Sequence, residues 1–568
     1  MIKFFRKQTY CSFVFFLVIF LFPLLCMLTQ ADVSFRDVTT EMGIDFKHFN
    51  DFSPAHRLVE TMGSGGVLFD FDRDGDLDIY LVQGNSLTDP NPNLINRLYR
   101  NDAQAFTDVT VDTGCGDSGY GMGVVAADYN GDGYQDLYVT NLGPNVLFRN
   151  NGDDTFTDVT IAAGVTCDLL STSAAFADID QDGDLDLYVC NYVGYSLDGD
   201  IPCYYQDIRI YCGPNDYQGI EDTLYRNNDD GTFTDITRVS GTYIPNTRGL
   251  GVVFTDLDNN GLLDIYVAND MNPNTLFVNQ GGGKFVEEGT RRGCAYNADG
   301  IANGSMGIDA QDFDNDGDID LWMTNFSLEA NCLMVNDGDG YFDDFTFDLD
   351  LAKPSFHLLG FGTLFTDYDN NGWKDLIVGN GHIWDNVCLI DPSMSYPQPL
   401  QIFANFKGQF QDKTDQIGLD QNQYVVRGLI RGDIDNDGDV DLVLCQSNRR
   451  VVVLRNQVGN RQSWIAFRLI GKGKNTDAIG SRVQLTTNGI TQTSEVICGA
   501  SYLVGNDMRL HFGLGDADVI EKVTIRWADG TLQTLKDISA RQMLTVTQSQ
   551  LFDTSLYFET KLVIDNPG

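Results

Sequence analysis

The sequence predicts an all-β protein: a seven-bladed β-propeller closed by an N-terminal strand, followed by a small β-sandwich or barrel-like domain. Three observations carry that reading. An acidic nonapeptide recurs seven times along the 568 residues. Each copy sits among short β-prone runs bounded by turn residues, and helical periodicity is absent. The last repeat lacks a fourth run, and a matching run stands near the N-terminus instead.

The charge is lopsided. The chain carries 81 acidic and 37 basic residues, a net −44, and 72 of the acids are Asp against nine Glu. Asp is the residue of tight turns and compact oxygen-ligand loops, so the charge is placed locally rather than spread over a solvated surface. A hydrophobic content of 42% with 36 Phe and 24 Tyr excludes a disordered acidic chain. Nucleic acid is excluded as a partner, because its phosphates would be repelled.

From the N-terminus, Lys3, Arg6 and Lys7 precede an apolar run to Leu28, and Thr29-Gln30-Ala31 follows as a cleavage-like site. Residues 1–31 are therefore expected to be a signal peptide, with a retained anchor as the alternative, and the mature chain to be secreted, periplasmic or on the cell surface. No later stretch has the roughly 18 apolar residues of a membrane span. Ten cysteines remain outside the leader. In an oxidising compartment some should pair, and Cys203 with Cys212, closing CYYQDIRIYC inside an insertion, is the expected disulfide.

The repeats occupy residues 32–458. Their nonapeptides begin at 70, 128, 178, 256, 312, 367 and 433, with start-to-start spacings of 58, 50, 78, 56, 55 and 66. That period marks a propeller or another repeat array. Before each loop stands an apolar run, as in GMGVVAAD and GLGVVFTD; after it come DIYLV, DLYVT and their equivalents, then RLYRN or VLFRN, then FTDVT. Four short strands per repeat make one blade. The seventh repeat ends at VVVLRN (451–456) with no FTDVT, and FRDVT at 35–39 supplies it. Closure of this kind removes two exposed sheet edges.

In D-x-[D/N]-x-[D/N]-G-x-x-D, side-chain oxygens at positions 1, 3, 5 and 9 and a main-chain carbonyl at position 7 surround a cation, and Gly at position 6 allows the sharp turn. Hard oxygen donors without Cys or His favour Ca²⁺. The candidate ligands are Asp70, Asp72, Asp74, Asp76 and Asp78; Asp128, Asn130, Asp132, Tyr134 and Asp136; and Asp178, Asp180, Asp182, Asp184 and Asp186. The later loops offer Asp256, Asp258, Asn260, Leu262 and Asp264; Asp312, Asp314, Asp316, Asp318 and Asp320; Asp367, Asp369, Asn371, Trp373 and Asp375; and Asp433, Asp435, Asp437, Asp439 and Asp441. Up to seven Ca²⁺ are expected. The loops with Asn at position 3 or 5, at 128, 256 and 367, are expected to bind more weakly. An EF-hand is excluded, because position 12 is apolar in all seven copies, from Leu81 to Leu444, where that motif needs a bidentate Glu. The Gly-x-Gly runs lack the third glycine and helix of a dinucleotide loop and read as close strand packing near the propeller axis.

These loops and flanking strands resemble the FG-GAP (VCBS-type) blades of integrin alpha-chain propellers. FKH at 46, ETMGSG at 60 and the repeated LYRNxxGxFTDVT resemble the cartilage acidic protein family and its bacterial relatives. In residues 459–548, NTDAIGSRV, RLHFGLG and VTIRWADG resemble the ASPIC/UnbV domain, with Ala528 where that family usually carries Pro. A tail, 549–568, follows. The resemblance implies calcium in the blade loops and a role in adhesion or extracellular recognition of a protein or glycan.

The alternative function is an enzyme, hydrolytic or biosynthetic, with its site at the channel mouth. The fold hosts both classes. No Ser-His-Asp, H-E-x-x-H or P-loop signature is present, and only five His exist. No catalytic residue is assigned. His48 and Glu60 are the pair whose substitution would test for chemistry, and His511 reads as structural.

Overall fold

The computed structural model describes residues 34–102, 105–419 and 423–549; the expected leader over 1–31 and the tail beyond 549 lie outside the described residues. Seven four-stranded antiparallel units follow one another. Blade 1 consists of Gly66–Phe69, Asp78–Leu81, Arg97–Asn101 and Phe106–Asp108. Blade 4, a full repeat of the same pattern, consists of Gly249–Thr255, Asp264–Asn269, Thr275–Asn279 and Phe285–Glu287. The innermost strands of all seven touch in cyclic order, the last (Val426–Gly432) returning to the first.

Two devices close the ring. Phe35–Asp37 pairs antiparallel with the third strand of blade 7, Phe35 opposite Asn456 and Asp37 opposite Leu454, so blade 7 takes its outer strand from the N-terminus. The second device is an asparagine at the end of each third strand, the Asn of LYRN. Asn150 donates its amide to the Phe71 carbonyl of the preceding blade (2.8 Å), and Asn227, Asn279, Asn336, Asn405 and Asn456 repeat the bond around the ring. Asn101 completes the circle by bonding the Ile434 carbonyl of blade 7 (3.0 Å).

The FTDVT run has its own local reason. Asp108 accepts from the amide and hydroxyl of Thr110, whose Oγ1 in turn accepts the Leu98 amide (2.9 Å). The same arrangement recurs at Asp158–Thr160 and Asp235–Thr237. Part of the aspartate excess therefore serves turns.

Residues 463–547 form two sheets, of three strands and of four, in keeping with a small sandwich. This domain is not a separate appendage. Its segment 500–505 enters the propeller channel, where Val504–Gly505 adds a parallel strand to the innermost strand of blade 1. Ser501 Oγ donates to the Leu429 carbonyl of blade 7 (3.1 Å) and accepts the Thr363 amide of blade 6 (3.0 Å). The Ser501 carbonyl accepts the Ile308 amide of blade 5 (3.2 Å), and Leu503 bridges Ser173 of blade 3 and Val124 of blade 2. Tyr502 and Leu503 are fully buried. Ala500, Ser501 and Leu503 all hold positive φ, a strained arrangement that persists where surrounding contacts over-determine it. The Gly-x-Gly runs make room for this plug: a Cβ on Gly123 would lie 3.0 Å from the Leu503 main chain.

Among the described residues, Cys203 and Cys212 form a disulfide, and the eight other cysteines are unpaired, seven of them buried. No helix among the described residues is long and apolar enough to cross a membrane.

The asparagine ring makes a direct prediction. Asn101→Ala should leave the buried Leu77 and Ile434 carbonyls without their donor and cost about 1–3 kcal/mol in urea unfolding. Asn151→Ala, one residue past the equivalent position of blade 2 and exposed, should change stability by under about 0.5 kcal/mol. Equal effects of the two substitutions would contradict the closure role.

Candidate metal centres

Each nonapeptide joins the first strand of its blade to the second. Positions 4 and 6 take left-handed backbone in all seven loops, for example Arg73 (φ 64°) and Gly75 (φ 99°) in the first, which folds the acidic side chains toward one point. In at least four of the loops the cluster is explicit. Oxygens of Asp70, Asp72 and Asp78 lie within 4.8 Å of one another, as do those of Asp178, Asp180 and Asp186; Asp312, Asp314 and Asp316; and Asp367, Asp369 and Asp375. Like charges at that separation repel by about 3–4 kcal/mol per pair at an effective dielectric of 20.

Position 9 does two jobs. In every loop one oxygen accepts the main-chain amide of position 2 and the other accepts the main-chain amide of the clasp asparagine, as for Asp78 with Phe71 (3.1 Å) and Asn101 (2.8 Å). These Asp residues are buried, and burial pushes Asp78 up to about 9 and Asp136, Asp186, Asp264, Asp320, Asp375 and Asp441 well above the usual range. Burial, then the neighbouring carboxylates, raises Asp72 to about 6 and Asp312 to about 8.

The fit to a hard cation rests on oxygens that no donor reaches. Asp70 Oδ1 in loop 1, Asp178, Asp180 and Asp184 Oδ1 in loop 3, Asp256 and Asp258 Oδ1 in loop 4, and Asp435 and Asp439 Oδ1 in loop 7 are buried without a hydrogen-bond partner. An acceptor-only group buried this way is costly unless a cation meets it. The donor set is all oxygen, which suits Ca²⁺. Loop 2 differs. Asp128 there receives the amides of Gly131 (2.8 Å), Asp132 (3.0 Å) and Gly133 (2.7 Å) and the Thr476 hydroxyl, so both its oxygens are satisfied by protein.

The second domain sits on this end of the ring and touches all seven loops or their edges. Arg468 bonds Asp70 (3.1 Å), Asp477 accepts the Asp128 amide (2.7 Å), and Asn475 donates to the Gly183 carbonyl (3.0 Å). Arg526 bonds Asp256 Oδ2 (2.8 Å), Ser494 reaches Gln311 (2.9 Å), Lys374 reaches the His511 carbonyl (3.0 Å), and Arg509 reaches the Asp433 carbonyl (2.9 Å). Its basic side chains meet the acidic end, a pattern invisible along the sequence because the partners lie 76 to 398 residues apart. His511 stacks on Trp464 and bonds Asn370 (2.6 Å); burial pulls it down to about 3, so it is a neutral packing residue.

The opposite mouth holds the pair singled out for chemistry. Glu60 accepts from the Ser53 hydroxyl (2.7 Å), and Arg57 stands 3.5 Å away. His48 Nδ1 accepts the Asn448 amide (3.2 Å), Nε2 is buried without a partner, and burial with nearby Arg427 pulls its pKa down to about 3. The structure places both in a loop pinned to blade 7 and shows no bond between them. Sequence reading missed Arg427, fully buried below the plug, which bonds the carbonyls of Thr61, Gly381 and His382 and lies 4.0 Å over Phe361.

The repeated Asp loops on four-stranded blades define an FG-GAP-type β-propeller. FG-GAP-like repeats match at residues 70–139, 128–189, 210–267 and 256–323, and the ASPIC and UnbV model matches 471–551. The chain belongs to the cartilage acidic protein-like family, in which these repeats are joined to that C-terminal domain. It is similar to Cartilage acidic protein 1 of Xenopus tropicalis, 24% identical over 300 residues, covering 51% of this chain and 43% of the relative. The human protein of the same name is 25% identical over 313 residues, covering 53% and 44%. The match thus spans under half of each relative's length. Among solved structures, a lectin from Agrocybe aegerita recognising non-reducing terminal N-acetylglucosamine is 18% identical at a TM-score of 0.37, covering 63% of this chain and 81% of that one. YCF48 bound to a D1 peptide is 9% identical at 0.31, covering 56% and 74%.

The carboxylates give calcium binding a signature in pH. A carboxylate raised in the folded state, as Asp78 is to about 9, stabilises the metal-free fold in its protonated form. That contribution is fully present below the unfolded value of about 4 and is lost as pH rises through the folded one. Chelated protein should therefore melt at progressively lower temperature from about pH 5 to about pH 9. With calcium the sign reverses, because the ion needs deprotonated ligands. Parallel melting curves with and without chelator would contradict the assignment.

Proposed function

We propose that this protein is an exported, calcium-stabilised recognition module that binds a protein or glycan through the propeller end opposite its Asp loops. The observation that carries the reading is the division between the two ends. The loop end is covered by the chain's own second domain, and the channel is filled by its plug. The other end carries the long insertions 192–222 and 381–400 and the disulfide. It also exposes Phe52, Ile201, Tyr204, Tyr205, Met271, Leu328 and Leu389, an apolar display of the kind that marks interaction surfaces. Calcium supports this end indirectly, by holding the blades that present it; it is not offered to the ligand.

The expected leader and a disulfide in an exposed insertion support export. An enzymatic role would have to use the His48 and Glu60 mouth, where both groups are buried in structural bonds.

The test is a pull-down and glycan array with the mature protein, with and without calcium. Binding that survives brief chelation in proportion to the folded fraction supports the reading. Product formation from a candidate substrate, abolished by His48→Ala in protein that still folds, would replace it with the enzyme.

A further inference from the structure

The insertion of blade 3 is built differently from the other loops around it. Cys203–Tyr205 and Ile208–Ile210 pair as a free-standing two-stranded ribbon, Tyr204 opposite Arg209, with the Cys203–Cys212 bond closing its base. The ribbon is pinned. Arg209 donates to the Ala55 carbonyl, and its own carbonyl accepts Asn386 Nδ2 (2.8 Å). The Arg209 guanidinium lies 5.5 Å over the Tyr204 ring. At the tip, Tyr204 and Tyr205 are 60% and 47% exposed, and Gln206 turns the chain at φ 54°. Two large aromatic rings thus stand largely in water on a cross-linked, pinned support. They have the properties of binding anchors: large contact area and little conformational entropy left to lose.

The surroundings select the partner. Asp198, Asp207 and Asp216 are exposed on the same insertion, whose cationic side chain, Arg209, is engaged inward. A second copy of this chain, a sulfated glycan, nucleic acid or an anionic membrane would be repelled by this insertion and by the net charge of −44. We propose that the ribbon 203–212 is the docking anchor for a basic, lysine- and arginine-rich segment of a protein partner, with Tyr204 and Tyr205 seating its side-chain stems and the three carboxylates its charges. This rests on the recognition reading above and gives it a site and a ligand class.

The test uses the full mature chain with calcium and a panel of synthetic peptides carrying Lys or Arg beside one apolar residue, against matched peptides with Glu or with uncharged residues. The expected result is binding of basic peptides alone, weakening as salt rises from about 0.05 to about 0.3 M. A Tyr204→Ser, Tyr205→Ser double variant should lose about tenfold or more in affinity at unchanged melting temperature, and Asp207→Asn should weaken binding and flatten its salt dependence. Asp112→Asn and Asp153→Asn, exposed on other blades, should bind as wild type. Equal binding by wild type and the tyrosine variant would show a generic acidic surface and overturn the proposal. Glycan binding lost in the tyrosine variant, with no peptide binding, would keep the recognition reading and overturn the basic partner. Self-association lost in that variant would assign the ribbon to a second copy and overturn it as well. Silence of both peptides and glycans would remove the recognition reading and the proposal together.

Discussion

Carboxylates crowded at one end of a closed ring set the terms for the rest of this molecule. Twenty-nine aspartates stand in seven nonapeptides. Position 9 of each is tied by hydrogen bonds to its own loop and to the clasp asparagine, so the loop cannot spread to relieve the repulsion without loosening the blade junction. The charge must be met where it is. Three kinds of positive group meet it: main-chain amides, guanidinium groups of the second domain, and the cations proposed for the unpartnered oxygens. Seven Ca²⁺ would bring the formal charge from −44 to −30.

The second domain follows from the same constraint. Its arginines reach the loops, its plug reaches the innermost strands, and the glycines of those strands leave the space it fills. Loop end and channel are then both spent on cohesion. That leaves the far end, with its insertions, disulfide ribbon and exposed aromatic rings, as the surface proposed for recognition.

Much of this was legible in the sequence, and the reasons for the rest are physical. The blades, the loop geometry and the closing strand Phe35–Asp37 are local or periodic, so spacing and turn chemistry reveal them. The Cys203–Cys212 pair was legible because its partners are close in sequence. The Asn of LYRN was visible as a repeated residue, but its role depends on a carbonyl roughly one blade away, which no local pattern shows. The plug was hidden altogether. VICGASYLVGN reads as an ordinary strand and turn, and only the assembled ring reveals that Tyr502 and Leu503 belong to the propeller's axis. Loop 4 illustrates a finer limit: Asn at position 5 suggests weak binding, yet Asp256 and Asp258 keep unpartnered oxygens while guanidinium groups hold the other side of each carboxylate.

The central claim is that the acidic loops are cation sites in the folded protein. Native mass spectrometry of the mature chain, exchanged into volatile buffer with calcium, counts the ions directly. The account predicts at least four bound Ca²⁺, one for each loop with a buried unpartnered oxygen, and the loss of one on Asp178→Asn. A folded chain carrying none or one, with the same mass before and after chelation, would contradict it.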